Sequence, residues 1–345
     1  MADVAHSLSA TRLACRSASL RAVLAARYDT SGPQMGELEI VEIPRPDPAP
    51  GEVLVRVRFS GVNPTDVGAR SGHGFDSGHA HVVPDHDGAG EIVEVGEGVP
   101  AERIGERVWL WLAQWRRPQG TAAQFIALPS AQAVALPAGA SLELGAGLGI
   151  PALTAHRCLW AEGPIKGLSV LVQGGAGAVG HAAIELARFG GARVAATVSS
   201  PEKAALASAA GAELVVDYRA QDVLGGVRAW APDGVDRVVE VAIGTNVVLD
   251  AELIKPFHDI SSYGRPDAPI VVPRPLMVKN CGIRWILVYT MGERAIADAV
   301  AEITRALDAG ALTALPAVRF PLEQISLAHD AVRDGALGKV LVEIP

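Results

Sequence analysis

Three glycines between a strand pattern and a helix pattern are the residues of this chain best suited to bind a ligand. Gly175, Gly177 and Gly180 have the spacing GxGxxG, after the apolar run 170–172 and before the helical run 182–187. Such glycines permit a tight turn, close approach of the backbone to a pyrophosphate, and close packing of the helix on the strand. The N–H groups at the helix start then face the phosphates. The residues predicted to hold a dinucleotide are Gly174, Gly175, Ala176, Gly177, Ala178, Val179 and Gly180.

The end of the next strand pattern, residues 193–198, predicts which dinucleotide binds. An NAD site usually has Asp or Glu about 20 residues after the first glycine, where it holds the ribose 2′-hydroxyl. This chain instead has Ser199, Ser200 and Lys203, which suit a 2′-phosphate, so we expect NADPH. The alternative is an ordinary helix start with Ser200 as N-cap and Lys203 in solvent, and the two interpretations are compatible. Tyr218, after a third strand pattern, is a candidate to pack beside the adenine or a structural aromatic.

Length and composition narrow the class of protein. A chain of 345 residues is long enough for two domains, and its 49% apolar residues with few aromatics are typical of parallel α/β sheets. The formal net charge of -8, with no basic run, argues against a nucleic-acid partner. No apolar run approaches the ~20 residues that span a membrane. Three widely separated cysteines favour a reducing compartment, and we expect a cytoplasmic protein.

The order of strand and helix patterns predicts an α/β protein with two lobes. Residues 21–147 show short β patterns separated by Gly and Pro, and residues 290–345 show helices and a last strand. Between them, residues 148–289 alternate strands with helices, which is typical of a Rossmann domain with a doubly wound parallel sheet. Residues 1–20 are expected to be a flexible N-terminal extension. Their Ala, Ser and Arg content also faintly resembles an organellar presequence.

Several motifs occur in the order known from one superfamily. The succession GVNPTDVGARSG, VVPDHDGAGEIVEVGEGV, GIPALTAHRCL, VLVQGGAGAVG and GKVLVEI resembles the medium-chain dehydrogenase/reductase superfamily, in its zinc-free quinone oxidoreductase or ζ-crystallin branch. The resemblance covers residues 21–345. It implies a GroES-like β-rich catalytic domain in 21–147 and 290–345, a Rossmann NADPH-binding domain in 148–289, and a homodimer, with the edge strand near IRWILVY as the candidate for pairing.

The same resemblance assigns roles to individual residues. Asn63 in GVNPTD would exchange hydrogen bonds beside the nicotinamide or the substrate carbonyl, whereas alone it would be a turn residue before proline. Thr154 would contact the nicotinamide carboxamide. Lys339 would reach the phosphate side of the cofactor, whereas a lone lysine would be solvated. The backbone positions expected to line the cofactor groove at strand carboxyl ends are Val241, Ala242, Gly264 and Arg265.

The resemblance also bears on metal binding. Related alcohol dehydrogenases hold a catalytic zinc with a Cys where this chain has Asn63, a His where it has His86, and a further Cys, so two of three ligands are missing. We therefore predict no metal site. The loop 73–87 is rich in His and Asp, but it lacks regular ligand spacing. His86 could supply a proton, or it could hydrogen-bond Asp66 or Asp87.

The expected reaction is transfer of hydride from NADPH to a quinone or to the β-carbon of an activated enone, with a small-molecule partner. An enoyl or polyketide-type double-bond reductase is an alternative. A further alternative is a protein that binds NADPH with little turnover, because Gly68 stands where many relatives have a tyrosine.

Overall fold

The computed structural model describes residues 22–33, 35–74, 77–266 and 268–345, so the extension predicted for residues 1–20 lies outside the described residues. In chain order the strands are β1 (Ala22–Asp29), β2 (Glu39–Pro44), β3 (Glu52–Gly61), β4 (His81–Val82), β5 (Asp87–Val95), β6 (Arg107–Leu110), β7 (Phe125–Pro129), β8 (Ala133–Ala135), β9 (Ser169–Val172), β10 (Arg193–Val198), β11 (Leu214–Asp217), β12 (Arg237–Glu240), β13 (Ile260–Ser262), β14 (Ile283–Trp285), β15 (Ala317–Pro321) and β16 (Lys339–Glu343). The helices are α1 (Pro64–Arg70), α2 (Leu142–Ala146), α3 (Gly149–Trp160), α4 (Ala178–Phe189), α5 (Pro201–Ala209), α6 (Val223–Trp230), α7 (Ile243–Leu253), α8 (Arg274–Val278), α9 (Glu293–Asp308) and α10 (Ile325–Arg333).

The chain divides into two compact units. The first unit holds the described residues up to Ala135, with Arg319–Ala336 and Val340–Pro345, and the second unit holds Leu136–Val318 and Leu337–Lys339. This division differs from the boundaries expected at 147/148 and 289/290. The reason is that α9 is amphipathic and packs against α3 and α4, so its apolar face is buried in the second unit. Helical periodicity in the sequence does not reveal which core a helix joins.

The first unit is built on antiparallel strands. Its larger sheet has the order β15-β16-β3-β5-β6-β8, and β3 pairs antiparallel with β5, β7 and β16. Its smaller sheet has the order β2-β1-β4. In β3, Val53, Leu54 and Val55 are all fully buried, so both faces of the strand are covered near its start. The predicted β-rich lobe is confirmed as the fold of this part.

The second unit is a doubly wound parallel sheet. The strand order is β11-β10-β9-β12-β13-β14, and every adjacent pair is parallel. The four residues of β9 are all buried, as expected of a strand covered on both faces. The order reverses at β9, and in this fold a ligand binds beside the carboxyl ends of the strands at such a switch point. The predicted α/β fold class is confirmed.

Strand register brings the ends of three strands together. Val172 in β9 pairs with Ala196 in β10 and with Val239 in β12. The residues that follow these strands therefore lie along one edge of the sheet. Among the described residues, no helix has the length and apolar character needed to cross a membrane.

Candidate functional site

The glycine-rich turn after β9 has the geometry that its spacing predicts. Gly174 has φ +73°, a backbone conformation that residues with a side chain rarely adopt. A Cβ on Gly175 would lie 2.8 Å from the Cβ of Ala196, so glycine allows the turn to pack on β10. A Cβ on Gly180 would overlap the carbonyl oxygen of Gly174, so glycine lets α4 approach the turn. The first and third glycines of the motif thus serve packing.

The middle glycine leaves room for a ligand. A Cβ on Gly177 would meet only the carbonyl oxygen of Gly174, at 3.5 Å. Gly177 is the N-cap residue of α4, and as a glycine it offers no side chain to the first N–H groups of the helix. The first N–H groups of a helix have no partner within the helix and carry its positive dipole end. A pyrophosphate would meet these donors beside an uncrowded backbone. The turn therefore fits the dinucleotide predicted for it.

The residues after β10 combine a helix cap with a cation. The Ser200 hydroxyl accepts a hydrogen bond from the Lys203 backbone N–H at 3.3 Å and caps α5. The Lys203 ammonium donates to Ser199 Oγ at 3.0 Å. The segment therefore has both the cap of an ordinary helix start and a cation placed beside the strand end. Tyr218 lies just after β11 and is 53% exposed, so its ring is accessible.

The other predicted cofactor residues lie in several elements of the second unit. Val241 and Ala242 connect β12 to α7. Gly264 comes shortly after β13 and lies against Val241, where a Cβ on it would overlap the Val241 carbonyl oxygen. Arg265 is exposed. The other two residues, Thr154 in α3 and Lys339 at the start of β16, are buried, so Lys339 is not the solvated lysine of the alternative interpretation.

In the first unit, two carboxylates hold Asn63. Its backbone N–H donates to Asp66 Oδ2 at 2.7 Å, and its Nδ2 donates to Asp87 Oδ2 at 2.8 Å. All three side chains are buried. Asn63 also precedes α1 as its N-cap. The amide is thus held in one orientation.

His86 lies in the same unit and is buried. Burial lowers the pKa of its imidazole to about 4, although the Asp85 carboxylate acts to raise it. The ring is therefore neutral at neutral pH, which argues against an imidazolium proton donor at this position. Its hydrogen bonding to Asp66 or Asp87 stays a prediction.

Sequence reasoning missed a second buried polar group in the first unit. Asp85 accepts from Ser60 Oγ at 2.7 Å and lies 3.1 Å from His329 Nε2 on α10. Asp85 and His329 are both almost completely buried, and Asp85 has φ +75°. In the sequence this acid is only one of several in the loop 73–87, and 244 residues separate it from His329. No local spacing could have revealed the pair.

The second unit holds a further group that sequence reasoning missed. Gln173, Thr197, Glu240 and Asp250 are buried beneath the carboxyl ends of β9, β10 and β12. One signal was available: Glu240 is a lone acid in the apolar strand pattern VVEV, and Asp250 interrupts the apolar pattern of α7. A polar residue at such positions indicates a buried partner.

In the described part of the chain, no three His, Cys, Asp or Glu side chains form a group that could hold a metal ion. His81, in β4, has its Nδ1 at 2.6 Å from the Asp29 carboxylate. Asp76, from the His- and Asp-rich segment 73–87, lies outside the described residues.

Comparison with known proteins identifies the class. Residues 49–138 match the family model of the alcohol dehydrogenase GroES-like domain, and residues 178–305 match that of the zinc-binding dehydrogenases. With its parallel sheet and glycine-rich turn, the chain is a two-domain oxidoreductase of the NAD(P)H-dependent class.

Individual relatives narrow the assignment. Quinone oxidoreductase of Rattus norvegicus is 28% identical over 319 residues, which cover 91% of this chain and 95% of that protein. The structure of a quinone oxidoreductase from Thermus thermophilus, also solved in complex with NADPH, is 31% identical with a TM-score of 0.77, covering 93% and 99% of the two chains. An alcohol dehydrogenase superfamily protein from Novosphingobium aromaticivorans has a TM-score of 0.81 at 26% identity, covering 94% and 100%. The chain belongs to the medium-chain dehydrogenase/reductase family, in its quinone oxidoreductase-like branch.

Proposed function

We propose that this protein is an NADPH-dependent, zinc-independent oxidoreductase that reduces quinones or activated enones. The observation that carries the choice of NADPH is the Lys203 ammonium beside Ser199 at the end of β10. A cation and two hydroxyls there suit a 2′-phosphate, whereas NAD sites use a carboxylate. The quinone class is supported by two of the relatives, the quinone oxidoreductases of Rattus norvegicus and Thermus thermophilus.

The proposed roles divide between the two units. In the second unit, the glycine-rich turn and the N-terminus of α4 bind the pyrophosphate, and Thr154, Lys339 and the turn after β12 bind the rest of the cofactor. NADPH supplies the hydride. In the first unit, the Asn63 amide is oriented by Asp87, and its Nδ2 also donates to the Gly61 carbonyl oxygen at 3.3 Å. The N–H of this longer bond is the one that turns to the oxygen on which negative charge develops. Zinc in proteins is held by Cys, His and Asp or Glu side chains, so an amide at position 63 supports zinc independence.

The test is oxidation of NADPH and NADH with a panel of quinones, alkenals and enoyl thioesters, by wild type and by Lys203→Ala. We expect turnover with NADPH and quinones, and a roughly tenfold weaker apparent affinity for NADPH in the variant, because a charge-assisted contact contributes about 1.5 kcal/mol. NADH oxidation should not change. Lys166→Ala is the matched control, because Lys166 is exposed and precedes β9 at the opposite edge of the sheet.

Other outcomes would reassign the protein. Turnover restricted to enoyl thioesters indicates a double-bond reductase. NADPH binding without turnover on any acceptor contradicts the quinone reductase proposal. Equal use of NADH and NADPH by wild type contradicts the role of Lys203. A cytoplasmic location and a homodimer are part of the proposal, the first supported by the free thiols of Cys158 and Cys281.

A further inference from the structure

A chain of hydrogen bonds runs beneath the carboxyl edge of the parallel sheet. Thr197 Oγ1 accepts from the Gly174 N–H at 3.2 Å and donates to Gln173 Oε1 at 2.6 Å. Gln173 Nε2 then donates to Asp250 Oδ1 at 2.8 Å. Because the Thr197 and Asp250 contacts fix which end of the Gln173 amide faces each, the chain has one direction. It starts at the glycine-rich turn and ends at a carboxyl group.

That carboxyl group meets a second one. Asp250 and Glu240 are both fully buried, and their carboxyl groups lie within hydrogen-bonding reach of each other. In the described chain, Asp250 Oδ2 meets no N–H or O–H donor. Two carboxylates are acceptors only, so they can hydrogen-bond only when one carries a proton. Burial and the Glu240 charge raise the pKa of Asp250 well above its usual range, which favours Asp250 as the protonated partner.

Glu240 continues the chain to another turn. Its Oε1 accepts a hydrogen bond from the Ala242 N–H. Its two carboxylate oxygens lie 3.3 and 3.2 Å from Asn246 Nδ2, in the first turn of α7. The carboxylate therefore holds the segment that joins β12 to α7. This segment contains Val241 and Ala242, two of the positions assigned to the cofactor groove.

We propose that Asp250 is a positioning residue of the dinucleotide site: the proton that it shares with Glu240 joins the glycine-rich turn to the turn after β12. Asp250 acts only through Gln173 and Glu240 and touches no ligand itself. Its effect on dinucleotide affinity rests on the proposed function, whereas its effect on the two turns does not. Without the shared proton, the two carboxylates would repel each other and the turns would separate.

Two substitutions of Asp250 test the proposal. Asp250→Asn can still accept from Gln173 and can donate an amide N–H to Glu240, whereas Asp250→Leu can do neither. Asp236→Asn is the matched control. Asp236 precedes β12, at the end of that strand opposite Glu240, and accepts hydrogen bonds from Ser169 and Lys255. The readouts are hydrogen exchange of residues 173–180 and 241–246, infrared absorption of protonated carboxyl groups, and NADPH titration.

We expect wild type to show a protonated-carboxyl band at neutral pH that is lost in Asp250→Asn. This variant should keep slow exchange in both turns and an NADPH Kd within about threefold of wild type. Asp250→Leu should accelerate exchange in both turns and raise the Kd at least about tenfold, and Asp236→Asn should do neither. If Asp250→Leu does not fold, Gln173→Leu breaks the chain between Thr197 and Asp250 and should accelerate exchange in residues 173–180.

The proposal is overturned if Asp250→Asn keeps the infrared band, or if exchange in both turns is unchanged in the leucine variants. A wild type that binds no dinucleotide would overturn the proposed function instead. In that case the exchange and infrared results still decide whether the proton joins the turns.

Discussion

At the scale of single residues, Asp85 combines three unusual properties. It is buried, it has a left-handed backbone conformation, and its carboxylate lies beside the imidazole of His329. Asp is one of the few residues other than glycine that adopts this conformation readily. Burial acts to raise the pKa of Asp85, but His329 and Ser60 stabilise the carboxylate, and the pKa is lowered overall. Position 85 therefore holds a buried negative charge on a residue type that also accepts the left-handed backbone conformation.

The lowered pKa of Asp85 leads to a pH-dependent prediction for Asp85→Asn, which keeps the backbone conformation and removes the charge. A depressed folded-state pKa stabilises the protein above the unfolded value of about 3.9, and this contribution is lost as pH falls through the folded pKa. We expect the free energy of unfolding to drop by about 1–3 kcal/mol at neutral pH. The difference from wild type should vanish in acid. Urea denaturation across this range measures it, and a constant difference at every pH would refute the assignment.

In the turn that joins β9 to α4, the three glycines of the motif have different surroundings. A Cβ on Gly175 or Gly180 would overlap neighbouring atoms, whereas a Cβ on Gly177 would make only one contact of ordinary length. Composition alone cannot reveal these surroundings, because all three residues have the same type. The difference lies in what surrounds each missing Cβ.

This difference predicts opposite phenotypes for two alanine substitutions. Gly180→Ala should destabilise the protein by about 1–3 kcal/mol, because its Cβ would overlap the Gly174 carbonyl oxygen. Gly177→Ala should cost under about 1 kcal/mol of stability, yet weaken NADPH binding about tenfold, because its methyl would stand where the pyrophosphate approaches. Thermal unfolding and NADPH titration separate the two effects. Wild-type affinity in Gly177→Ala would exclude the pyrophosphate from this position.

The parallel sheet of the second unit ends at an edge strand. β14 is the last strand in the order of the described sheet, and Trp285 on it is 54% exposed. Met277 and Val278, a few residues earlier in the chain, are also exposed. An edge strand with exposed apolar side chains is suited to pairing with a second copy.

If the homodimer forms through β14, Trp285→Lys should shift the protein to monomers, because two ammonium groups would meet at the interface. Val248→Lys is the control, since Val248 is equally accessible on α7. Sedimentation velocity measures the outcome. A dimer that survives Trp285→Lys would move the interface to another surface.

Much of the fold and part of the candidate site can be predicted from local sequence patterns. The apolar runs of β9 and β10 and the glycines between them predict the Rossmann unit, because strand period, turn chemistry and helix packing depend on neighbours in the chain. The Ser200 cap and Lys203 also follow from local spacing. The position of α9 in the second unit could not be predicted from the sequence. An amphipathic pattern indicates that one face of a helix is buried, but not which core buries it.

The α/β class, the glycine-rich turn and the residues at the end of β10 follow from the amino-acid sequence, because they depend on interactions between residues close in the chain. The partners of the buried acids follow only from the packing of distant segments. Asp85 meets His329 across 244 residues, and Gln173 meets Asp250 across 77. Burial then set the neutral state of His86 and the raised pKa of Asp250. Desolvation and long-range pairing depend on which elements pack together, which no local pattern records.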